Sequence, residues 1–335
     1  MTNRKKTTIQ DIAREAKVSI STVSRVLNNG AAVADDKREA VFKAVDKLGY
    51  QPNVFAQGLA SGQSKTIGVL TPHINSAFFG EMMRGIIEVL SNSNYSALFS
   101  EVYWSLTSER QAIQNLMARR IDGLITLYGE SSAEALLDIN DQIPMIIIGR
   151  AVANLSERCL RIDDFEAAYN ATKYLIDFGH RRIVHITGVL SHQDAVDRLA
   201  GYRQALRDNS LEVADNLVIE GDFSEKSGLL AVQSLLLRGQ NFSAIFAAND
   251  QIAFGARLGL FRQGLRVPDD ISIIGFDDQP TSTYMIPPLT TVRVPAIDMG
   301  QVAARAILDL LKGKSFTPPE FTAELVIRES VIRYR

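Results

Sequence analysis

The 335-residue chain is 46% hydrophobic and 22% charged, with a formal net charge of −2, a balance that excludes disordered and fibrous classes and predicts a globular chain. One cysteine, Cys159, excludes an intrachain disulfide, and no apolar run approaches the roughly 20 residues of a membrane span. No apolar segment follows the opening residues Met1 to Lys6, so a cytoplasmic protein that keeps away from membranes is expected.

The charge is unevenly spread. Residues 1–62 hold ten Lys or Arg against six Asp or Glu, a balance of +4, which leaves −6 for the rest. A basic head on an acidic body predicts that only the head meets nucleic acid. Within the head, Ile9, Ile12, Ala13 and Ala16 repeat at helical spacing, then Val23, Val26 and Leu27 do so again after a break at residues 17–19. Thr8 and Ser19 stand where N-caps belong. Two short helices with a tight turn form a helix-turn-helix, whose second helix enters the major groove of DNA. Its polar side offers Ile20, Ser21, Thr22 and Arg25. Two ordinary amphipathic helices of a bundle would share this periodicity.

Residues 18–28, VSISTVSRVLN, decide between these readings. They resemble the amino-terminal signature V-S-x-x-T-V-S-R-V-[LIV]-N of the lactose/galactose-repressor (LacI/GalR) family. Lys17 departs from the glycine usual in the family's turn and should strain or shift it. A third helix follows, with Asp35 or Asp36 as its cap, Val41, Phe42, Val45 and Leu48 as its inner face, and Gly49 as its stop. Residues 49–53, GYQPN, match the family's G-Y-x-P-N. The resemblance implies DNA contacts by Thr8, Ser19, Ile20, Ser21, Thr22, Ser24, Arg25, Asn28, Tyr50, Asn53 and Ala56. It also makes residues 53–64 a hinge helix, from which Leu59 would wedge into the minor groove. Gly58 lowers that segment's helix propensity by about 1 kcal/mol.

From Lys65 onward, short apolar runs alternate with helical stretches. Strands are predicted at 66–70, 123–127, 144–148, 183–186, 244–247 and 271–275, and helices at 79–91, 108–119, 165–178, 198–209 and 253–263. Continuous apolar strands between helices mean parallel, doubly wound sheets, and some 270 residues require two lobes. The expected fold is thus an all-α helix-turn-helix head (1–52), a hinge (53–64) and an α/β, two-lobed, periplasmic-binding-protein-like body. The resemblance divides that body into a first lobe, 65–162 with 291–325, and a second, 163–290 with 326–335. The chain stops at Arg335 without leucine heptads, so a homodimer is expected.

No Gly-x-Gly-x-x-Gly follows a strand, Gly313-Lys314-Ser315 lacks the upstream glycine of a phosphate loop, and no nucleophile–base pair can be assembled. No enzyme activity, cofactor or metal is expected. Ligands of parallel-sheet lobes bind at the carboxyl ends of strands. Asn249 and Asp277 occupy such ends and can exchange hydrogen bonds with hydroxyls. The resemblance adds the aromatic pair Phe78 and Phe79, Asp194, the effector-clamping Arg198, and Phe223 at the cleft floor.

Aromatic rings beside Asp, Asn and Arg suit a sugar. Residues 158–164 and 109–113 look closest to galactose-type and aryl-glucoside-type members. The expected protein is a dimeric repressor of carbohydrate-utilisation genes, released from a pseudo-palindromic double-stranded operator by a small sugar or glycoside. The alternatives are a regulator with a purine or other metabolite as co-repressor, and a sugar-binding protein without DNA function.

Overall fold

The computed structural model describes residues 7–27, 33–50 and 62–334. The chain divides into two compact units, Met1–Ser64 and Lys65–Arg335.

In the first unit, helix α1 (Ile9–Glu15) starts at a reciprocal cap. Thr8 accepts from the Asp11 amide, and the Asp11 carboxylate accepts from the Thr8 amide at 3.0 Å. The following turn carries Lys17 at φ 52°, so the left-handed geometry that suits glycine is kept and the lysine bears a strain of about 1 kcal/mol. Helix α2 (Ile20–Leu27) is capped by Ser19, whose Oγ accepts from the Thr22 amide at 3.1 Å.

Helix α3 (Asp35–Leu48) departs from expectation at its start. Its N-cap is Ala34, with no side-chain bond, while Asp35 and Asp36 lie in the first turn and act on the helix dipole. Its inner face is also rotated. Val41 and Ala44 are buried, whereas Phe42 is 46% exposed. Gly49 ends the helix at φ 56°, as expected. Ile12, Ala13, Val23, Val26, Val41 and Ala44 make the core that holds the three helices together. Asn28, Asn53, Ala56 and Leu59 lie outside the described residues, as does most of the expected hinge.

The second unit holds two sheets. Strands β1 (Thr66–Thr71), β2 (Ser96–Glu101), β3 (Gly123–Leu127), β4 (Met145–Ile148) and β5 (Cys159–Leu160) pair in the order β2-β1-β3-β4-β5, all parallel. Helices α4 (Ala77–Ser91), α5 (Leu106–Ala118) and α6 (Ala133–Asn140) connect them. After β5 the chain enters α7 (Asp164–Asp177) of the second lobe. There β6 (Ile183–Ile186), β7 (Val218–Ile219), β8 (Ala244–Ala247) and β9 (Ser272–Asp277) alternate with α8 (Gln193–Asp208), α9 (Glu225–Leu237) and α10 (Asp250–Arg262). A short α11 (Pro280–Tyr284) leads to β10 (Thr290–Arg293), then α12 (Ala296–Leu310) and β11 (Glu324–Val326). The second sheet runs β11-β10-β9-β8-β6-β7, and only the β10–β11 pair is antiparallel.

These strands shift two lobe boundaries from their expected places. All of β10 lies beside β9, and Thr290 and Thr291 are fully buried there, so the chain leaves the second sheet after Arg293 rather than at 291. Its return precedes Glu324, since β11 already pairs with β10. Between these points α12 packs on α4 of the first lobe. The approach is so close that a Cβ at Gly85 would lie 2.2 Å from the Ile297 carbonyl oxygen. Among the described residues, no helix is long and apolar enough to cross a membrane.

Candidate functional site

A cavity of about 270 Å³ lies between the lobes. Its walls are the segments that follow strands. From the first lobe come His73, Asn75, Ser76, Phe78 and Phe79 after β1, Trp104 after β2 and Tyr128 after β3. From the second come Asp194 and Arg198 on α8, Asp222 and Phe223 after β7, Asn249 and Gln251 after β8, and Asp277 at the end of β9. All seven residues expected in the cleft therefore meet in one cavity. Trp104, Tyr128 and Asp222, together with the polar residues His73, Asn75, Ser76 and Gln251, lie outside the expected set. Trp104 follows β2, an edge strand whose sequence SALFSE has only an apolar triplet and so carries a weak strand signal, whereas Tyr128 directly follows a strand with a continuous apolar run and the same positional rule finds it.

Helix α8 begins five residues earlier than expected, at Gln193. Asp194 and Arg198 are therefore one helical turn apart on its inner face, with Nη2 of Arg198 lying 3.7 Å from Oδ2 of Asp194. Arg198 is 2% exposed. Its Nε donates to Oδ1 of Asp164 at 2.8 Å and its Nη1 to the Ala248 carbonyl at 2.6 Å, while the guanidinium lies 3.8 Å over the ring of Phe276. Burial opposes the charge of Arg198, but Asp164, Asp194 and Asp277 outweigh it and raise the pKa. Burial pushes Asp164 up to about 6 against the pull of Arg198. The Asp277 carboxyl is also pushed well up by burial, with Arg198 opposing and Asp250 adding to the rise.

Asn249 has less to offer a ligand than its position suggested. Its Oδ1 caps α10 by accepting from the Ile252 amide at 2.9 Å, and its Nδ2 donates to the Phe223 carbonyl at 3.0 Å. One amide hydrogen and one oxygen lone pair remain. Behind it, Asp250 is wholly buried. It accepts from the Gln279 amide at 2.8 Å, Ser282 Oγ at 2.6 Å and Thr291 Oγ1 at 2.5 Å, tying α10 to α11 and β10.

The aromatic walls interlock. Phe79 lies 5.4 Å from Phe78, 5.6 Å from Tyr128 and 6.1 Å from Trp104 between ring centroids. Trp104, Tyr128, Phe223 and Asp277 all have left-handed backbones, with φ of 50°, 57°, 65° and 106°. Each side chain lines the cleft at or shortly after the end of a strand, at a local cost of about 1–3 kcal/mol, a pattern typical of binding sites.

On the head, Thr8, Ser19, Ile20, Ser21 and Arg25 are exposed, while Thr22, Ser24 and Tyr50 are half-buried. Ser19 Oγ lies 2.8 Å from both Ser21 Oγ and Thr22 Oγ1. The cap thus preorganises the hydroxyls at the start of α2, the end that a recognition helix presents to base edges. Among the described residues, no group of three or more His, Cys, Asp or Glu could hold a metal ion.

Residues 8–53 match the model of bacterial regulatory proteins, lacI family, and residues 172–331 that of a periplasmic binding protein-like domain. The chain is 38% identical over 329 residues to the HTH-type transcriptional regulator GalR of Escherichia coli (strain K12), covering 97% of this chain and 95% of that one. A lac repressor dimer bound to operator and the anti-inducer ONPF superposes with a TM-score of 0.88 at 30% identity, covering 98% of this chain and 100% of the other. A complex of the transcriptional regulator CelR with cellobiose gives a TM-score of 0.72 at 30% identity, covering 97% and 100%.

Proposed function

We infer the function from one premise: this chain belongs to the lacI family of bacterial regulatory proteins. It is a DNA-binding transcriptional repressor that engages operator DNA as a dimer through its helix-turn-helix and carries a separate effector-binding body. The finer reading is that the effector is an uncharged sugar or glycoside held in the interlobe cavity.

One observation carries that reading, the composition of the cavity wall. Among the described lining residues Arg198 is the only Lys or Arg, and Asp164 and the Ala248 carbonyl already occupy two of its nitrogens. Asp194, Asp222 and Asp277 face the same space. An anionic ligand would meet three carboxyl groups and one largely committed cation. A neutral polyol instead finds carboxyl and amide partners for its hydroxyls and aromatic rings for its apolar face.

The test is a thermal-shift screen over cellobiose, galactose, ribose, glucose 6-phosphate and hypoxanthine. A neutral sugar at 100 times its Kd should stabilise the body by about 2.7 kcal/mol, and the phosphorylated sugar should not. Stabilisation by glucose 6-phosphate or by hypoxanthine alone overturns the sugar assignment. The same sugar should then lower operator affinity in fluorescence anisotropy. It can do so only through unequal affinity for two lobe angles, and tighter operator binding would make it a co-repressor.

The head offers a separate check. Arg25 is exposed on the polar side of α2. Arg25→Ala should weaken operator binding by about 1–3 kcal/mol, the value of a bidentate guanine contact. Exchanging Ile20 and Ser21 should change base preference. Selection from random DNA that returns no dyad-symmetric site would contradict this interface.

A further inference from the structure

His192 belongs to the second lobe as the N-cap residue of α8, yet its closest partners belong to the first. Its ring stacks on Trp104 with centroids 4.2 Å apart and planes inclined by 28°. Its Nε2 lies 3.0 Å from Oε1 of Glu130. On the other side it runs nearly parallel to Phe223, at 6.2 Å and 11°. The three rings form a ladder from one lobe to the other, and the ladder needs no ligand to complete it.

Both first-lobe partners are rigidly mounted. Trp104 is backed by Phe79 and Tyr128, at 6.1 Å and 6.0 Å between centroids. The Glu130 amide donates at 2.6 Å to Oε2 of Glu109, a carboxylate buried to 1% exposure. The contact is also largely shielded from water, since the His192 side chain is 9% exposed and that of Glu130 is 30% exposed. A stacked ring pair and a hydrogen bond to a carboxyl group, both partly desolvated, together contribute on the scale of an interlobe equilibrium.

We propose that Trp104, Glu130 and His192 form a clasp, built from the protein's own side chains, that holds the two lobes at the angle at which these three residues meet. They are positioning residues. The clasp sets the fraction of molecules whose cleft is already shaped for the effector, and apparent affinity scales with that fraction. The inference concerns the unliganded protein and is independent of the effector's identity.

Trp104 is the chain's only tryptophan, so its emission reports the clasp directly in the full-length protein. Glu130→Ala removes the acceptor without touching the indole. It should shift Trp104 emission to the red and raise the acrylamide quenching constant in the absence of any sugar, with circular dichroism unchanged. Glu130→Gln retains an acceptor oxygen and should restore the parent emission. Parent-like emission and quenching in Glu130→Ala overturns the proposal, as does an equal shift in Glu130→Gln. Should Glu130→Ala fail to fold, His192→Ala provides the second reading. Amide hydrogen exchange in the first-lobe segments around 104 and 128–131 should accelerate in that variant, and unchanged exchange there overturns the clasp.

Discussion

Replacing Arg198 by alanine is expected to destabilise the body by about 3–5 kcal/mol as well as to abolish its response to effector, because deletion of one partner leaves a buried charge without compensation. Arg198 is 2% exposed, and Asp164 is 7% exposed. With the guanidinium gone, the Asp164 carboxylate loses a 2.8 Å partner, the Ala248 carbonyl loses its 2.6 Å donor, and Phe276 loses the planar cation over its ring. Asp194 loses its 3.7 Å contact, and Asp277 loses the guanidinium that opposes the rise of its pKa. The effector-clamping role that the family resemblance implies for Arg198 would by itself predict only a loss of ligand response. The buried network makes the same residue a structural support, so binding and stability must be read together. Urea denaturation of Arg198→Ala and Arg198→Lys beside the parent separates them. Lysine retains the charge but not the fork, so Arg198→Lys should fall between the two. An unchanged midpoint for Arg198→Ala would show that the Asp164 pair contributes nothing net.

The second large effect is a pH dependence centred on Asp250. Burial pushes its carboxyl from 3.8 up to about 7, although Ser282, Thr291 and the Gln279 amide pull it the other way. A carboxyl whose pKa is raised on folding holds its proton more tightly in the native state. Its contribution to stability is therefore complete below pH 3.8 and is lost as pH rises to about 7. At 1.36 kcal/mol per unit, that interval corresponds to roughly 4 kcal/mol.

Asp164, raised to about 6 mainly by burial, acts with the same sign. His185 acts oppositely. Burial lowers it from 6.5 to about 4, so its contribution is present above 6.5 and is lost as pH falls towards 4. Asp250→Asn cannot titrate and turns a donor towards the donors that surround it. It should cost about 1–3 kcal/mol at pH 5 and should flatten the decline between pH 5 and 8. Denaturant midpoints across that range supply the measurement. A variant profile parallel to the parent's would assign the pH dependence elsewhere.

Much of the fold was legible because helix and strand periods, caps and strand ends are local properties. Thr8 and Ser19 cap their helices, and Gly49 adopts the positive φ expected of it. The central strands, such as Met145–Ile148, are short apolar runs buried on both faces, and such runs announce themselves. Most strands absent from that pattern are edge or two-residue elements, such as Ser96–Glu101 and Cys159–Leu160, but the interior strand Thr290–Arg293 is absent from it as well, its apolar character being limited to Val292. Phe42 shows the complementary failure. An apolar residue at roughly helical spacing reads as core, but its side of α3 is exposed, and periodicity does not report where a helix finds its neighbours.

The sequence by itself determined the helix-turn-helix, the alternation that makes parallel sheets, and the seven cleft residues, since each follows from spacing, family motif or position at a strand end. Only the tertiary structure decided how those residues are used. Arg198 meets Asp164 because α7 and α8 pack side by side, and Asn249 turns its amide to Phe223 because β7 and β8 flank the same strand. His192 reaches Trp104 and Glu130 because the chain crosses between two sheets. Local propensity carries no record of such meetings, because they depend on which distant strands become neighbours, and that is settled by packing two lobes around shared crossings.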